Sequence, residues 1–243
     1  MQWFLADYCD IYVAISTISE HLKAVDWGNK KLKIKAAQAD SGQRMWYLYA
    51  VAEYSSDMFV FVDESGVDKR DVNRRYGWAP KGFTPFVRQV LKRSRRFNIL
   101  PAITVDGLLD TFIYQGSTNR EGFTLWLKER VLPLMNPFPG PRSVLVMDNA
   151  SFHHSDEIYT MCEEAGVKLQ YLPPYSPDFN PIEAFFSDLK AYIRRHARYT
   201  LDDFPDDERF GLFLADCCEW VGQRKEKIKG HFKTARAGWD LID

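Results

Sequence analysis

The sequence predicts an α/β domain built on a mixed β-sheet. MFVFVDESG and RSVLVMDNA are short, continuous apolar runs of β-prone residues, each ending in an acid. Strands covered on both faces read this way, and such strands usually run parallel. Helical patterns alternate with further strand-like runs between and after them. The 243-residue chain is 46% apolar, with 7 Trp, 12 Tyr and 17 Phe, enough for a sizeable core. Its length suits one large domain, or one domain with a small appendage.

Taken in order, residues 11–27 (IYVAISTISEHLKAVDW) start apolar and then turn helical. Ser16 or Thr17 is the expected N-cap, and Ile18, Leu22 and Val25 form an apolar stripe at spacings of four and three. The basic loop GNKKLKIK follows. This fits the second helix of a helix-turn-helix with a phosphate-contacting exit, or an ordinary amphipathic helix with solvated lysines. Residues 28–45 read as a polar linker, partly helical. Strands are expected at MFVFVD, at 83–91, at 97–105 and at VLVMD, with VDGLLD as a turn and 121–135 as a helix. SDEIYTMCEEAG reads as a short helix capped by Ser155 and stopped by Gly166, and VKLQYLP as a further strand.

Composition excludes several classes. The four cysteines (Cys9, Cys162, Cys217, Cys218) form no CxxC, and no His pair has zinc-finger spacing; they read as reduced packing residues. The N-terminus lacks a basic segment followed by an apolar core, and no apolar run could span a bilayer, so a soluble, intracellular protein is expected. The net charge of -1 hides an uneven distribution. Residues 69–96 are strongly basic, RKEKIKGHFK (224–233) is a second basic cluster, and LDDFPDDE (201–208) offsets them.

Asp63 closes MFVFVD and Asp148 closes VLVMD, each the first charge after a buried strand. If the strands are parallel neighbours, both acids lie at the sheet edge where ligands collect in α/β folds. Two carboxylates there repel unless a cation lies between them, which points to Mg²⁺ or Mn²⁺. Either Asp alone could simply end its strand; the matched pair is what suggests chemistry.

LPPYSPDFNPIEAFFSDLK supplies a third acid. Asn180 reads as an N-cap, Pro181 as the first helical residue and Glu183 as the third, the pattern of a capping box. Ile182, Phe185, Phe186, Leu189 and Ile193 form the stripe expected to be buried, while Glu183, Ser187, Lys190 and Arg194 fall on another face. A metal-binding acid backed by a row of cations suits a phosphate-backbone substrate, although a solvated face would also carry Lys and Arg.

The ordered set FVDESG, RRYGWAPKG, VLVMDNASFHHS and LPPYSPDFNPIEAFFSDLK resembles the DDE-type transposases of the mariner-like superfamily, in the branch of DDE superfamily endonucleases, over about residues 58–198. Between Asp148 and Glu183 lie 34 residues (149–182), a spacing typical of that superfamily. The resemblance implies an RNase H-like fold, a mixed five-stranded sheet flanked by helices. It implies Asp63, Asp148 and Glu183 as catalytic and metal-binding acids for two Mg²⁺ or Mn²⁺ ions. Asn149 and His153 match a DNAxxH stretch, with His153 and His154 expected in a core or a hydrogen-bonding supporting role rather than as metal ligands, and Gly77 and Trp78 expected to shape a hairpin. STISEHLKAVDWGNKKL looks like the last helix and exit of the family's helix-turn-helix. The expected organisation is a partial helix-turn-helix and linker over 1–45, the catalytic domain over 46–200 and a helical extension over 201–243.

The implied activity is metal-dependent cleavage and joining of phosphodiester bonds at transposon ends, with no covalent protein intermediate. Arg74, Arg75, Lys81, Lys92, Arg93, Arg95 and Arg96 of the basic segment, with Lys190 and Arg194, are the expected contacts to double-stranded DNA, both terminal repeats and target. Relatives act as dimers, so a homodimer is expected, nuclear in a eukaryote. The competing reading is a truncated or domesticated relative that binds DNA without cutting it.

Overall fold

The computed structural model describes residues 2–28, 40–69, 78–86, 96–116, 120–148, 156–197 and 207–241. The chain forms two compact units, Met1–Ala37 and Gln38–Asp243. The first holds α1 (Gln2–Cys9) and α2 (Ile15–Ala24). Their connection is tied by Ile11 N–H donating to the Leu5 carbonyl (2.9 Å) and Gln2 Nε2 donating to the Val13 carbonyl (3.0 Å). The expected Ser16 or Thr17 cap is not used. Ile18 N–H donates to Ala14 O (3.2 Å), so the helix starts at Ile15 and both hydroxyl residues fall inside its first turn. Ile18 and Leu22 are half-buried, but Val25 is exposed. Cys9 is exposed as well, whereas Cys162, Cys217 and Cys218 are buried as expected.

The second unit opens with α3 (Ser41–Ala50), capped by Asp40 Oδ1, which accepts from Gly42 N–H at 2.7 Å. This helix runs across the 45/46 boundary expected from the sequence. The strands are β1 (Phe59–Val62), β2 (Ser65–Val67), β3 (Phe97–Thr104), β4 (Gly107–Gln115), β5 (Val144–Met147) and β6 (Lys168–Tyr171). β1 and β2 share one antiparallel register on β3, with Val62 opposite Ala102 and Ser65 opposite Ile99. They are one strand lane broken at Asp63 and Glu64. The sheet therefore has five lanes in the order β4, β3, β1/β2, β5, β6, the mixed architecture that was expected. The same register places Asp63 opposite Pro101, which has no N–H to give the ladder.

VDGLLD is only partly a turn. Val105 and Asp106 turn, and Gly107 then begins β4, which lies outside the expected strands. Gly107 has φ +133°, and a Cβ there would lie 2.5 Å from the Gly222 carbonyl oxygen, so no other residue fits. The strand expected at 83–91 is absent over 83–86, and its remainder lies outside the described residues, as do Gly77 and the rest of the expected hairpin before Trp78. The helix expected at 121–135 forms α4 (Arg120–Trp126), continued by a π turn (Leu127–Val131) and a 3₁₀ turn that Pro133 enters. Helix α5 (Asp156–Glu164) ends at Gly166 as expected, with φ +67°; Ser155, its expected cap, lies outside the described residues.

Strand alternation sorts the core into two layers. Val60, Val62, Leu100, Leu145 and Met147 face α4, its π turn and α5. Phe59, Phe61, Val144 and Val146 face α6 (Pro181–His196), α7 (Asp207–Gly222) and α8 (Lys225–Ala235). In α6, Ile182, Phe185, Phe186, Leu189 and Ile193 are all buried, the stripe read from the sequence. Truncating one such Phe to Ala costs about 3–5 kcal/mol, so α6 is held on the sheet far more firmly than any surface contact could hold it. Among the described residues no helix is long and apolar enough to cross a membrane.

The basic stretch 224–233 is partly structural. Lys227 Nζ (2.6 Å) and His231 Nε2 (2.8 Å) of α8 meet the two oxygens of Asp188 on α6. Partial burial pushes the Asp188 carboxyl up, but the hydrogen bonds and charges of Lys227 and His231 outweigh this and hold it below its ordinary value of 3.8. A carboxyl lowered by folding stabilises the fold above its unfolded pKa, and this is lost as pH falls through the folded value. Asp188→Asn should thus be less stable than wild type above about pH 5, with the difference vanishing toward about pH 2. Urea midpoints of both proteins across this range provide the check.

Candidate active site

The parallel register of β1 on β5 pairs Phe59 with Val144, Val60 with Leu145 and Phe61 with Val146. Two residues further on, the same register sets Asp63 beside Asp148. Pleating sends Phe59, Phe61 and Asp63, and likewise Val144, Val146 and Asp148, toward the α6 side of the sheet. Each apolar column thus ends in a carboxylate, and both aspartates are half-buried. Glu183 lies in the first turn of α6 and is exposed. All three acids line one cleft of about 450 Å³, whose opposite wall is the proline-rich segment Leu172–Pro177.

Hydrogen bonds hold Asp63 at this edge. Its Oδ1 accepts from Glu64 N–H (2.7 Å) and its Oδ2 from Asn180 Nδ2 (3.0 Å). The break in the strand lane leaves the Glu64 amide to the side chain instead of the ladder. Asn180 is also the N-cap of α6, its Oδ1 accepting from Ile182 N–H at 3.3 Å. Asp63 therefore sits at the positive end of a helix, where a carboxylate is favoured.

Only half of the expected capping box forms. Asn180 N–H donates to the Pro177 carbonyl (3.1 Å) and not to Glu183. Among the described residues the Glu183 carboxylate has no hydrogen-bond or ion-pair partner, and it is left facing the cleft.

The proline-rich wall is anchored from α3. Arg44 makes a two-pronged pair with Asp178 (Nη1–Oδ1 2.9 Å, Nη2–Oδ2 2.7 Å), and its guanidinium lies 4.1 Å from the centre of the Phe179 ring. Tyr47 stacks on the same ring at 5.5 Å. The hydrogen bond to Asp178 pushes the Arg44 guanidinium further above its already high pKa. Sequence reading missed both residues, because Arg44 sat in an apparent linker 134 positions from its partner.

Of the expected DNA contacts, Lys190 and Arg194 are half-buried on α6, on the Glu183 side and about 10 and 16 Å further along the axis. Lys81 is exposed in a turn. Arg96 is exposed too, but its guanidinium lies over Gly66, on the face of the sheet away from α6, and it does not line the cleft. Lys69 of the same basic segment is engaged by Asp207 at 3.0 Å. Arg74, Arg75, Lys92, Arg93, Arg95, Asn149, His153 and His154 lie outside the described residues.

The donor set is hard and all-oxygen, which suits Mg²⁺ or Mn²⁺ and not a soft thiophilic metal. Among the described residues no three metal-ligating side chains yet converge into a finished cage, so the acids share a cleft without closing on a common point.

The model of the family described as DDE superfamily endonuclease matches residues 58–204, more than half of the chain. The chain belongs to this family. Solved structures agree on the fold. The chain is similar to the Mos1 mariner paired end complex with Mn at 14% identity and TM-score 0.64, covering 96% of this chain and 73% of that one. It is similar to the Mos1 transposase paired-end complex with left transposon end at 15% identity and TM-score 0.61, covering 94% and 73%. The Mos1 transposase catalytic domain with Raltegravir and Mn matches at 15% identity and TM-score 0.52, over 85% of this chain and 96% of that one. No curated protein sequence matches the chain. This DDE family member thus has the RNase H-like fold of a mariner-type catalytic domain.

The Arg44–Asp178 pair yields a prediction. Asp178 is largely exposed, and exposed pairs are usually worth under about 1 kcal/mol, but a two-pronged, ring-stacked Arg should exceed that range. In a double-mutant cycle of Arg44→Ala and Asp178→Ala, followed by urea unfolding, the coupling energy should be about 1–2 kcal/mol. Strict additivity would show that the pair does not hold the loop.

Proposed function

We propose that this DDE family endonuclease is a transposase, cutting and joining DNA at the ends of a mobile element with divalent metal ions. The observation that carries the reading is the pairing of Asp63 with Asp148 at one register of neighbouring parallel strands, with Glu183 lining the same cleft. The similar Mos1 structures, in complexes with transposon ends, Mn or Mg, support the same substrate and metals for this chain.

In this reading Asp63, Asp148 and Glu183 hold Mg²⁺ or Mn²⁺. The bound ions supply Lewis-acid activation of the attacking oxygen and charge compensation at the leaving oxygen. The chain's own part is positioning. The β1–β5 ladder fixes the spacing of two acids, and the buried face of α6 fixes the approach of the third. The proline-rich wall limits how DNA enters. Lys190 and Arg194 neutralise phosphates along α6, and Arg74, Arg75, Lys81, Lys92, Arg93, Arg95 and Arg96 extend the basic track. Asn149 and His153, soon after β5 in the sequence, are assigned a supporting role and not one as metal ligands. The residues before α3 serve as part of a DNA-binding region, α3 onward to residue 200 as the catalytic domain and 201–243 as a helical extension. The assembly on DNA is a homodimer, located in the nucleus in a eukaryotic host.

The test uses the full chain with Mg²⁺ or Mn²⁺ and labelled DNA carrying the terminal repeats that flank its coding sequence. Wild type should nick at the repeat ends, while Asp148→Asn and Glu183→Gln bind the DNA but cut only at background level. Glu183→Gln, being at an exposed position, should change stability by no more than about 0.5 kcal/mol. DNA binding without metal-dependent nicking by wild type would sink the proposal, and equal nicking by the variants would sink the assignment of the acids.

A further inference from the structure

Asn180 is 5% exposed and spends both ends of its side chain on different elements. One end caps α6 through Ile182 N–H, and the other donates to Asp63 Oδ2. The amide can stand only one way round. Ile182 N–H can only donate, so it requires Oδ1; the Asp63 carboxylate can only accept, so it requires Nδ2. A buried amide of this kind is tolerable only with both bonds made.

Capping alone does not demand asparagine. Asn, Asp and Ser are about equally good N-caps. Asp at 180 would keep the cap but set a second negative charge against Asp63, raising the repulsion at an edge already holding three acids. Ser would also cap, but its hydroxyl is a bond shorter than the amide and falls short of Asp63. Of these three residue types, only Asn caps the helix and donates to the acid at once.

Building on the function proposed above, we propose that Asn180 is a positioning residue. Its amide holds the Asp63 carboxylate in the orientation that receives the divalent cation, and ties that orientation to the start of the helix carrying Glu183. Two acids that come from different elements, 120 positions apart, are thereby linked through one side chain, which complements the Glu64 amide on the other Asp63 oxygen. Residues that orient metal ligands from behind typically matter 10–100-fold for metal affinity or activity.

Three measurements on the full chain test this in wild type and in two variants that keep a capping hydroxyl, Asn180→Ser and Asn180→Thr. Thermal unfolding without metal should be nearly unchanged in Asn180→Ser, since the cap is kept. Side-chain NMR couplings in the metal-free protein should report one χ1 rotamer for Asp63 in wild type and averaging in Asn180→Ser. Calorimetric Mn²⁺ affinity should fall about tenfold or more in both Asn180→Ser and Asn180→Thr. If Asp63 keeps a single rotamer in Asn180→Ser, or if that variant binds Mn²⁺ as wild type does, Asn180 is only a cap and the proposal is overturned. Should Asn180→Ser fail to fold, the Mn²⁺ affinity and Asp63 rotamer of Asn180→Thr decide in the same way. Wild type that takes up no Mn²⁺ would instead overturn the metal-dependent function, while the metal-free rotamer comparison would still decide whether Asn180 sets Asp63.

Discussion

The parallel ladder between β1 and β5 is the constraint on which the cleft depends. It is made of residues with no chemistry of their own: Phe59, Val60 and Phe61 against Val144, Leu145 and Val146, all fully buried. Because side chains alternate and the register is fixed by packing on both faces, the first charged residues beyond the ladder must lie side by side and point the same way. A slip of one residue would turn one aspartate to the α4 side and destroy the pair. The site's geometry is thus secured by hydrophobic burial, which fixes two like charges at neighbouring positions.

The third acid is set by a different mechanism that converges on the same place. Helix α6 is pinned by its buried stripe, but its first turn is also held by two polar ties. Asn180 links it to Asp63, and Arg44 with Tyr47 clamps the loop that leads into it through Asp178 and Phe179. The prolines make this loop stiff before any tie forms. Glu183 therefore needs no hydrogen bond of its own: everything around its backbone is fixed, and its carboxylate stays available. The three acids line one cleft, and their all-oxygen donor set is of the kind that hard divalent ions accept.

Much of this was legible in the sequence, for identifiable reasons. β1, β3 and β5 announced themselves because central strands leave continuous apolar runs, and the α6 stripe because it repeats at helical spacing over sixteen residues; β6, at the sheet edge and only half-buried, was marked instead by the turn signals around VKLQYLP. The acids stood out as the first charges after such runs. β4 did not, because all its residues after Gly107 are half-buried and GLLDTFIYQ mixes polar and apolar positions in the way an outer strand does. The fate of Glu183 turned on a competition no local pattern reveals: Pro177 O took the Asn180 N–H that the capping box would have used. Arg44 and Asp178 meet only through tertiary structure. The helix starting at Ile15 and not after Ser16 or Thr17 shows a backbone hydrogen bond overriding side-chain preference.

In the proposed function, β1, β5 and the first turn of α6 present three carboxylates as one receptor for a divalent cation. Diffraction from crystals soaked in Mn²⁺ and recorded at its absorption edge tests this most directly. An anomalous peak is expected within coordination distance of Asp63 and Asp148, with Glu183 turned toward it. Absence of a peak at saturating Mn²⁺, or a peak bound only by residues outside the cleft, would contradict it.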